Sequence, residues 1–149
     1  MSPADVLAQV ALAFPCESPG MTLGQGDEID SSYQTTTLPA NGDEQPTDDY
    51  LRQNISGLCH LDAQSWRCYL RYLLPYSVLH RAEEGSLVVE WTLSNLRPPN
   101  LRLATLNARQ RNAVISFLNL LGFDSSSAFQ AFARQVMEEY WIPNPLYPE

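Results

Sequence analysis

Apolar residues recur at three- and four-residue intervals in five parts of this chain, and each recurrence predicts a helix buried along one side. Val6, Leu7, Val10 and Phe14 form the first stripe, over about Pro3 to Ala13. Ser2 stands at its N-cap, Pro3 at the first helical position and Asp5 in the first turn, and Pro15 stops it. A second helix opens at Thr47-Asp48-Asp49, buries Tyr50, Leu51, Ile55 and Leu58, and is expected to end at Gly57. The third stripe holds Trp66, Tyr69, Leu70, Leu73 and Tyr76, with Asp62 as N-cap. Pro75 lacks an N–H and its ring crowds the carbonyl of Arg71, so this helix should kink there or give way to another. Asn107 and Gln110 spell a capping box for a fourth helix carrying Val114, Phe117, Leu118 and Leu121, with Gly122 as its stop. A fifth, opened by Ser125 or Ser126, aligns Phe129, Phe132, Ala133, Val136, Met137 and Tyr140.

The remaining stretches break this pattern. Residues 16–46 are polar, acidic and punctuated by Gly20, Gly24, Gly26, Gly42, Pro19, Pro39 and Pro46. They are expected to form one long loop that drapes over the body through Met21, Leu23, Ile29, Tyr33 and Leu38, with room for a short strand near Tyr33 to Leu38. Ser86 to Leu96 fits two patterns. Leu87, Val89, Trp91 and Leu93 alternate as in a strand, whereas Leu87, Val88, Trp91 and Asn95 fit a short helix capped by Ser86. Arg97-Pro98-Pro99-Asn100 is a turn, and Leu101, Leu103 and Leu106 read as an extended lead-in to the fourth helix. Residues 142–149 close the chain as a proline-rich tail behind Trp141.

Two segments together resemble a known pattern. Tyr72-Leu73-Leu74-Pro75-Tyr76, and Leu96-Arg97-Pro98-Pro99 leading to Gln110-Arg111-Asn112-Ala113-Val114-Ile115-Ser116-Phe117-Leu118, are similar to an uncharacterised bacterial family of small domains. That family has a first helix ending in Ala-Phe, a Tyr-Tyr-Leu-Pro-Ala-Tyr-like helix, a Leu-x-Pro-Pro turn, a Gln-x-x-Ala-Val-x-x-Phe-Leu helix and a terminal Tyr-Trp. Ala13-Phe14 and Tyr140-Trp141 supply the ends here, and the chain departs from the pattern at Leu74 and Tyr76. The resemblance spans most of the chain outside the acidic stretch. It implies a mainly helical fold, tips Ser86 to Leu96 toward helix, and implies no activity. Together these readings give a single all-α domain, 1–149, of five or six short helices with a long acidic N-terminal loop and at most one short strand pair.

Composition narrows the function classes. The 149 residues are 44% hydrophobic, enough for a core, and no apolar run approaches the roughly 20 residues of a membrane span. The N-terminus has no positive n-region, and three cysteines at irregular spacing suit a reducing, cytoplasmic compartment better than a disulfide framework. Charge is segregated: residues 1–51 carry nine acids and no base, a balance of −9, while residues 52–149 balance at +1. Every base is an arginine, which removes Schiff-base lysines, phosphate-loop lysines and Ser–Lys dyads from consideration. An acidic chain also lacks the footprint of nucleic-acid or anionic-membrane binding.

Candidate chemistry is sparse. Cys59, His60, Cys68 and His80 have donor atoms suited to zinc but lack the close paired spacing of structural sites, so buried thiols and surface imidazoles describe them better. Cys68 beside Arg67 and Arg71 would have a lowered thiol pKa, and with His80 it offers a nucleophile–base pair without an elbow or oxyanion loop. Asp27, Glu28 and Asp30 miss calcium-loop spacing and read as solvated acids. Neither a metal nor another cofactor is expected. Arg67 and Arg71, one turn apart, call for a carboxylate partner, for which the acidic loop is the nearest source. Trp141 and Tyr147 fit either a docking tail or a strap over the protein's own core. The leading expectation is a non-enzymatic protein-binding or adaptor protein using Arg67, Arg71, Asp27, Glu28, Asp30, Trp141 and Tyr147. An acidic inhibitor of a basic site and a cysteine hydrolase are the alternatives.

Overall fold

A computed structural model describes residues 1–32 and 46–142. Among these residues the fold is all-helical, with seven α-helices: α1 (Pro3–Ala13), α2 (Leu23–Ser32), α3 (Asp48–Asn54), α4 (Ala63–Leu79), α5 (Leu87–Ser94), α6 (Ala108–Phe123) and α7 (Gln130–Val136). Two 3₁₀ segments, Ile55–His60 and Leu101–Thr105, and a π-helical turn, Met137–Trp141, complete it.

The termini that local chemistry dictates form as expected. Ser2 and Asp5 exchange side-chain and backbone hydrogen bonds at the start of α1, and Asn107 and Gln110 do the same for α6. Asp62 accepts from the Ser65 amide and hydroxyl at the start of α4, and the hydroxyl bond holds its carboxyl below the usual range. Around α4 lie α1, α5, α6 and the Leu101–Thr105 segment. Trp66, Leu70, Leu73, Leu74 and Val78 of α4 are fully enclosed, joined by Phe14 of the α1 cap, Leu93 of α5 and Phe117 of α6. Burying a Leu or Phe stabilises by about 1.5–3 kcal/mol, so this hub supplies the largest apolar contribution to the fold.

Several expectations give way. The loop expected over 16–46 contains α2, because Thr22 and Gln25 form a third capping box: the Thr22 amide donates to Gln25 Oε1 (2.8 Å) and the Gln25 amide to Thr22 Oγ1 (3.1 Å). The expected strand near Tyr33 to Leu38 lies outside the described residues. Of the two patterns open for Ser86 to Leu96, the helix that the resemblance favoured is the one that forms: Val88, Val89, Thr92 and Leu93 are buried and Leu87 is exposed, a helical stripe that alternation cannot produce. α4 runs unbroken through Pro75 to Leu79, so no second helix starts there. The lead-in at Leu101 to Leu106 is a 3₁₀ turn instead of an extended strand. Gly122 lies inside α6 against the Arg134 side chain instead of ending the helix, and the last helix begins at Gln130 instead of Ser125 or Ser126. In place of the expected stop at Gly57, α3 gives way to the Ile55–His60 turn, with Gly57 inside it.

Candidate functional site

Gly57 does its work by contact. α2 lies directly on the Ile55–His60 turn, and the two backbones meet at Gly26 and Gly57. A Cβ at Gly26 would sit 2.4 Å from the Gly57 carbonyl oxygen, and one at Gly57 would sit 2.3 Å from the Leu23 oxygen and 2.4 Å from the Asp27 nitrogen. Only glycine on both sides permits this approach. Leu23, fully buried, donates its amide to the Tyr69 hydroxyl at 2.9 Å, and the Gly24 amide reaches the Tyr50 hydroxyl at 2.7 Å. One buried and one half-buried tyrosine thereby satisfy orphan donors at the start of α2.

This seam aligns polar side chains from both elements. The Ser56 hydroxyl donates to Asp27 Oδ1 at 2.5 Å. His60 Nε2 lies 3.1 Å from Asp30 Oδ1, with both side chains half-buried. Cys59 is exposed as a residue, but its thiol is tucked partly out of solvent, donating to the Ser56 carbonyl at 3.3 Å. Burial first, and the Asp30 charge next, push that thiol pKa up from its ordinary value. The donor atoms of Asp30, Cys59 and His60 all fall within 4.8 Å of one another. Arg102 fixes the far side of the turn, donating to the carbonyls of Leu58 (2.8 Å) and Leu61 (3.1 Å) while its guanidinium covers the Trp66 ring.

The other expected site residues are dispersed. Arg67 donates to Thr105 Oγ1 at 2.7 Å, and Arg71 donates to the carbonyls of Ala11 (3.2 Å) and Phe14 (2.5 Å). Neither holds a carboxylate among the described residues: Arg71 instead covers the carbonyl end of α1, where a cation is favoured by the helix dipole. The acidic segment does fold back on α4, but not on the arginines: the Gly20 and Met21 amides donate to Gln64 and Ser65, and the Glu17 carboxylate accepts from the Cys68 thiol at 3.7 Å. Trp141 is buried and donates its indole N–H to the Leu96 carbonyl at 2.6 Å, which makes it a strap on the protein's own core. Tyr147 lies outside the described residues. Glu28 sits on α2, half-buried.

The hydrolase constellation fails on distance. Cys68 and His80 are twelve positions apart along α4, about 18 Å at 1.5 Å rise per residue. Cys68 is buried, and burial together with the Glu17 charge pushes its thiol up to about 11, opposite to the lowering expected from Arg67 and Arg71. His80 stacks on Tyr76, centroids 4.1 Å apart, and pairs with Glu83. It adjoins an open cleft of about 380 Å³ lined by Arg52, Tyr76 and residues 83–88. Among the described residues lining that cleft the cation is Arg52, and it is already engaged by Asp49 and the Tyr76 hydroxyl.

Residues 3–145 match the sequence model of a family of unknown function, DUF6714. The chain belongs to that family. No curated protein and no solved structure matches it. The DUF6714 match spans the acidic segment together with α4, α6 and Trp141, so α2 and its seam are part of the family domain. The pairing of Asp30 with Cys59 and His60 escaped sequence reasoning because its members are 30 positions apart. The Thr22-x-x-Gln25 box was the one local signal that α2 would be there.

Proposed function

We propose that this DUF6714 domain is a non-enzymatic protein-binding module that engages a partner's basic surface through its acidic N-terminal third. A cytoplasmic setting agrees with three free thiols, each bonded to a neighbour other than a cysteine. The observation that carries the reading is how the positive charge is used. Among the described residues, Arg52, Arg67, Arg71, Arg81, Arg97, Arg102, Arg111 and Arg134 donate hydrogen bonds within the chain. Arg52 pairs with Asp49, Arg81 with Asp124 and Arg97 with Glu139, while Arg67, Arg71, Arg102, Arg111 and Arg134 donate to carbonyl, hydroxyl or amide oxygens, so most of the positive charge of the described residues is spent on holding the fold together, beside a sequence balance of −9 over residues 1–51. A one-signed field of this kind steers association with an oppositely charged surface.

Affinity capture from the native host tests the proposal, with the wild-type chain and a Glu17→Gln/Asp43→Asn/Glu44→Gln chain as baits. Raising salt from about 0.1 M to about 1 M shortens the screening length from about 10 Å to about 3 Å. The partner should be held by the wild-type bait at low salt, released at high salt and lost from the neutralised bait. Retention of the same partner by both baits at both salts would refute it.

A further inference from the structure

We propose that Asp30, Cys59 and His60 form a binding site for a zinc-class divalent cation at the seam between α2 and the Ile55–His60 turn. The site stands independently of the protein-binding reading. Three chemically different donors, a carboxylate oxygen, a thiol sulfur and an imidazole nitrogen, already converge within 4.8 Å. Tetrahedral zinc with bonds of about 2.0–2.3 Å places its ligand atoms roughly 3.3–3.6 Å apart, so side-chain rotations of about 1 Å close the set. The His60 Nε2 to Asp30 Oδ1 distance of 3.1 Å is already there. One carboxylate with a sulfur and an imidazole disfavours calcium and magnesium, which take oxygen cages, and favours a borderline-soft ion.

The scaffold holds these donors from both sides. Cys59 and His60 stand on a turn whose flanking Leu58 and Leu61 carbonyls are clamped by Arg102, and Asp30 is carried by a helix whose separation from that turn is fixed at Gly26 and Gly57. Backbone contact on one side and guanidinium bonds on the other keep the ligand spacing from drifting. Charge also closes. The Asp30 carboxylate and the Cys59 thiolate together neutralise a divalent ion, with Asp27 adjacent on α2. The Arg102 charge opposes the cation, and because burial and the Asp30 charge keep the Cys59 thiol protonated, the ion must displace its proton. Binding exchanges the thiol proton for the metal: Cys59 S–H becomes a sulfur–metal bond, its hydrogen bond to Ser56 is released, and one proton leaves to solvent. Three protein ligands leave the fourth position to water.

Cobalt(II) titration of the reduced full chain tests this. The expected result is one equivalent bound, with a thiolate-to-cobalt charge-transfer band that zinc abolishes and one proton released per ion. The band should vanish in Cys59→Ser and survive in Cys16→Ser, and Asp30→Asn and His60→Ala should each weaken binding by at least the roughly 10–100-fold typical of losing an outer partner. Absence of the band from the wild-type chain, or its persistence in Cys59→Ser, overturns the site. If a variant folds poorly, alkylation of wild-type Cys59 followed by mass serves instead. Zinc should protect that thiol, and equal labelling with and without zinc overturns the proposal.

Discussion

Replacing Gly57 with alanine places a methyl group 2.3 Å from the Leu23 carbonyl oxygen and 2.4 Å from the Asp27 nitrogen, both backbone atoms that no rotamer change can move. Ordinary contact begins near 3.4 Å, so α2 and the Ile55–His60 turn must separate by about 1 Å. Overpacking of this kind costs about 1–3 kcal/mol, and the alanine returns about 0.4–1 kcal/mol by restricting the unfolded chain. Against this, full burial of Leu23 contributes about 1.5–3 kcal/mol, and the two tyrosine–amide bonds add about 1 kcal/mol each. The holding interactions exceed the clash. The helix therefore stays docked in a widened seam, and the net destabilisation is about 1–2 kcal/mol. Urea unfolding should show a lowered midpoint with an unchanged slope, and amide exchange at Leu23 and Gly24 should accelerate. Gly26→Ala should act through the same separation. The double variant should then cost less than the two singles added, since one displacement accommodates both methyls. Gly20→Ala is the control: its Cβ meets nothing closer than 3.6 Å, and stability should hold or rise slightly. A Gly57→Ala protein with wild-type midpoint and wild-type exchange at Leu23, or additive costs for the two glycines, would refute the close-approach argument.

Three further outcomes are expected. Trp141→Phe keeps an aromatic six-membered ring but removes the pyrrole half of the indole and its N–H, leaving the buried Leu96 carbonyl without its donor, and should lower stability by about 1–3 kcal/mol in the same urea assay. Asn107→Ala removes one half of the α6 capping box and should cost about 0.5–2 kcal/mol, partly restored by Asn107→Ser. Alkaline pH should destabilise the fold. The Cys68 thiol pKa stands at about 11 in the folded chain against an ordinary 9.0, so the unfolded state loses its proton first, and stability falls as pH rises between those values. Melting temperatures from pH 8 to 11 check this, and the decline should be shallower in Cys68→Ala; an identical slope would remove Cys68 as a cause.

What could be read from the residues was what they settle locally. Ser2 with Asp5, Asp62, and Asn107 with Gln110 announce helix starts because capping is an interaction across three positions, and the stripes of α1, α4 and α6 follow from a period the side chains repeat. The failures share one cause. Gly24 and Gly26 signal a loop by propensity, yet contacts with distant elements hold them in a helix; Leu87 to Leu93 fits strand and helix alike by pattern, and the helix that the resemblance favoured forms. Pro75 breaks a helix by rule, but α4 is the enclosed hub of the fold and its packing carries it through. The arginine pair predicted carboxylates, and the helix-end carbonyls of Ala11 and Phe14 answered instead. For the seam residues spacing says nothing, since Asp30 reaches His60 only once α2 has docked.

That dependence ties the helix to the metal site. α2 is a ten-residue helix with two internal glycines, each worth about 1 kcal/mol against helix formation, and isolated helices shorter than about 12–15 residues are marginal even in alanine-rich sequences. Its helicity therefore comes from what it lies on. Since Asp30 is carried by α2 while Cys59 and His60 belong to the turn beneath, an ion bridging them favours the docked state by its binding energy, and widening the seam must weaken the ion by the same coupling. Gly57→Ala, which alters none of the three donors, should then reduce cobalt affinity, and saturating zinc should slow amide exchange at Leu23 and Gly24 in the wild-type chain. Cobalt affinity untouched by Gly57→Ala would mean that the seam does not set the spacing of the ligands.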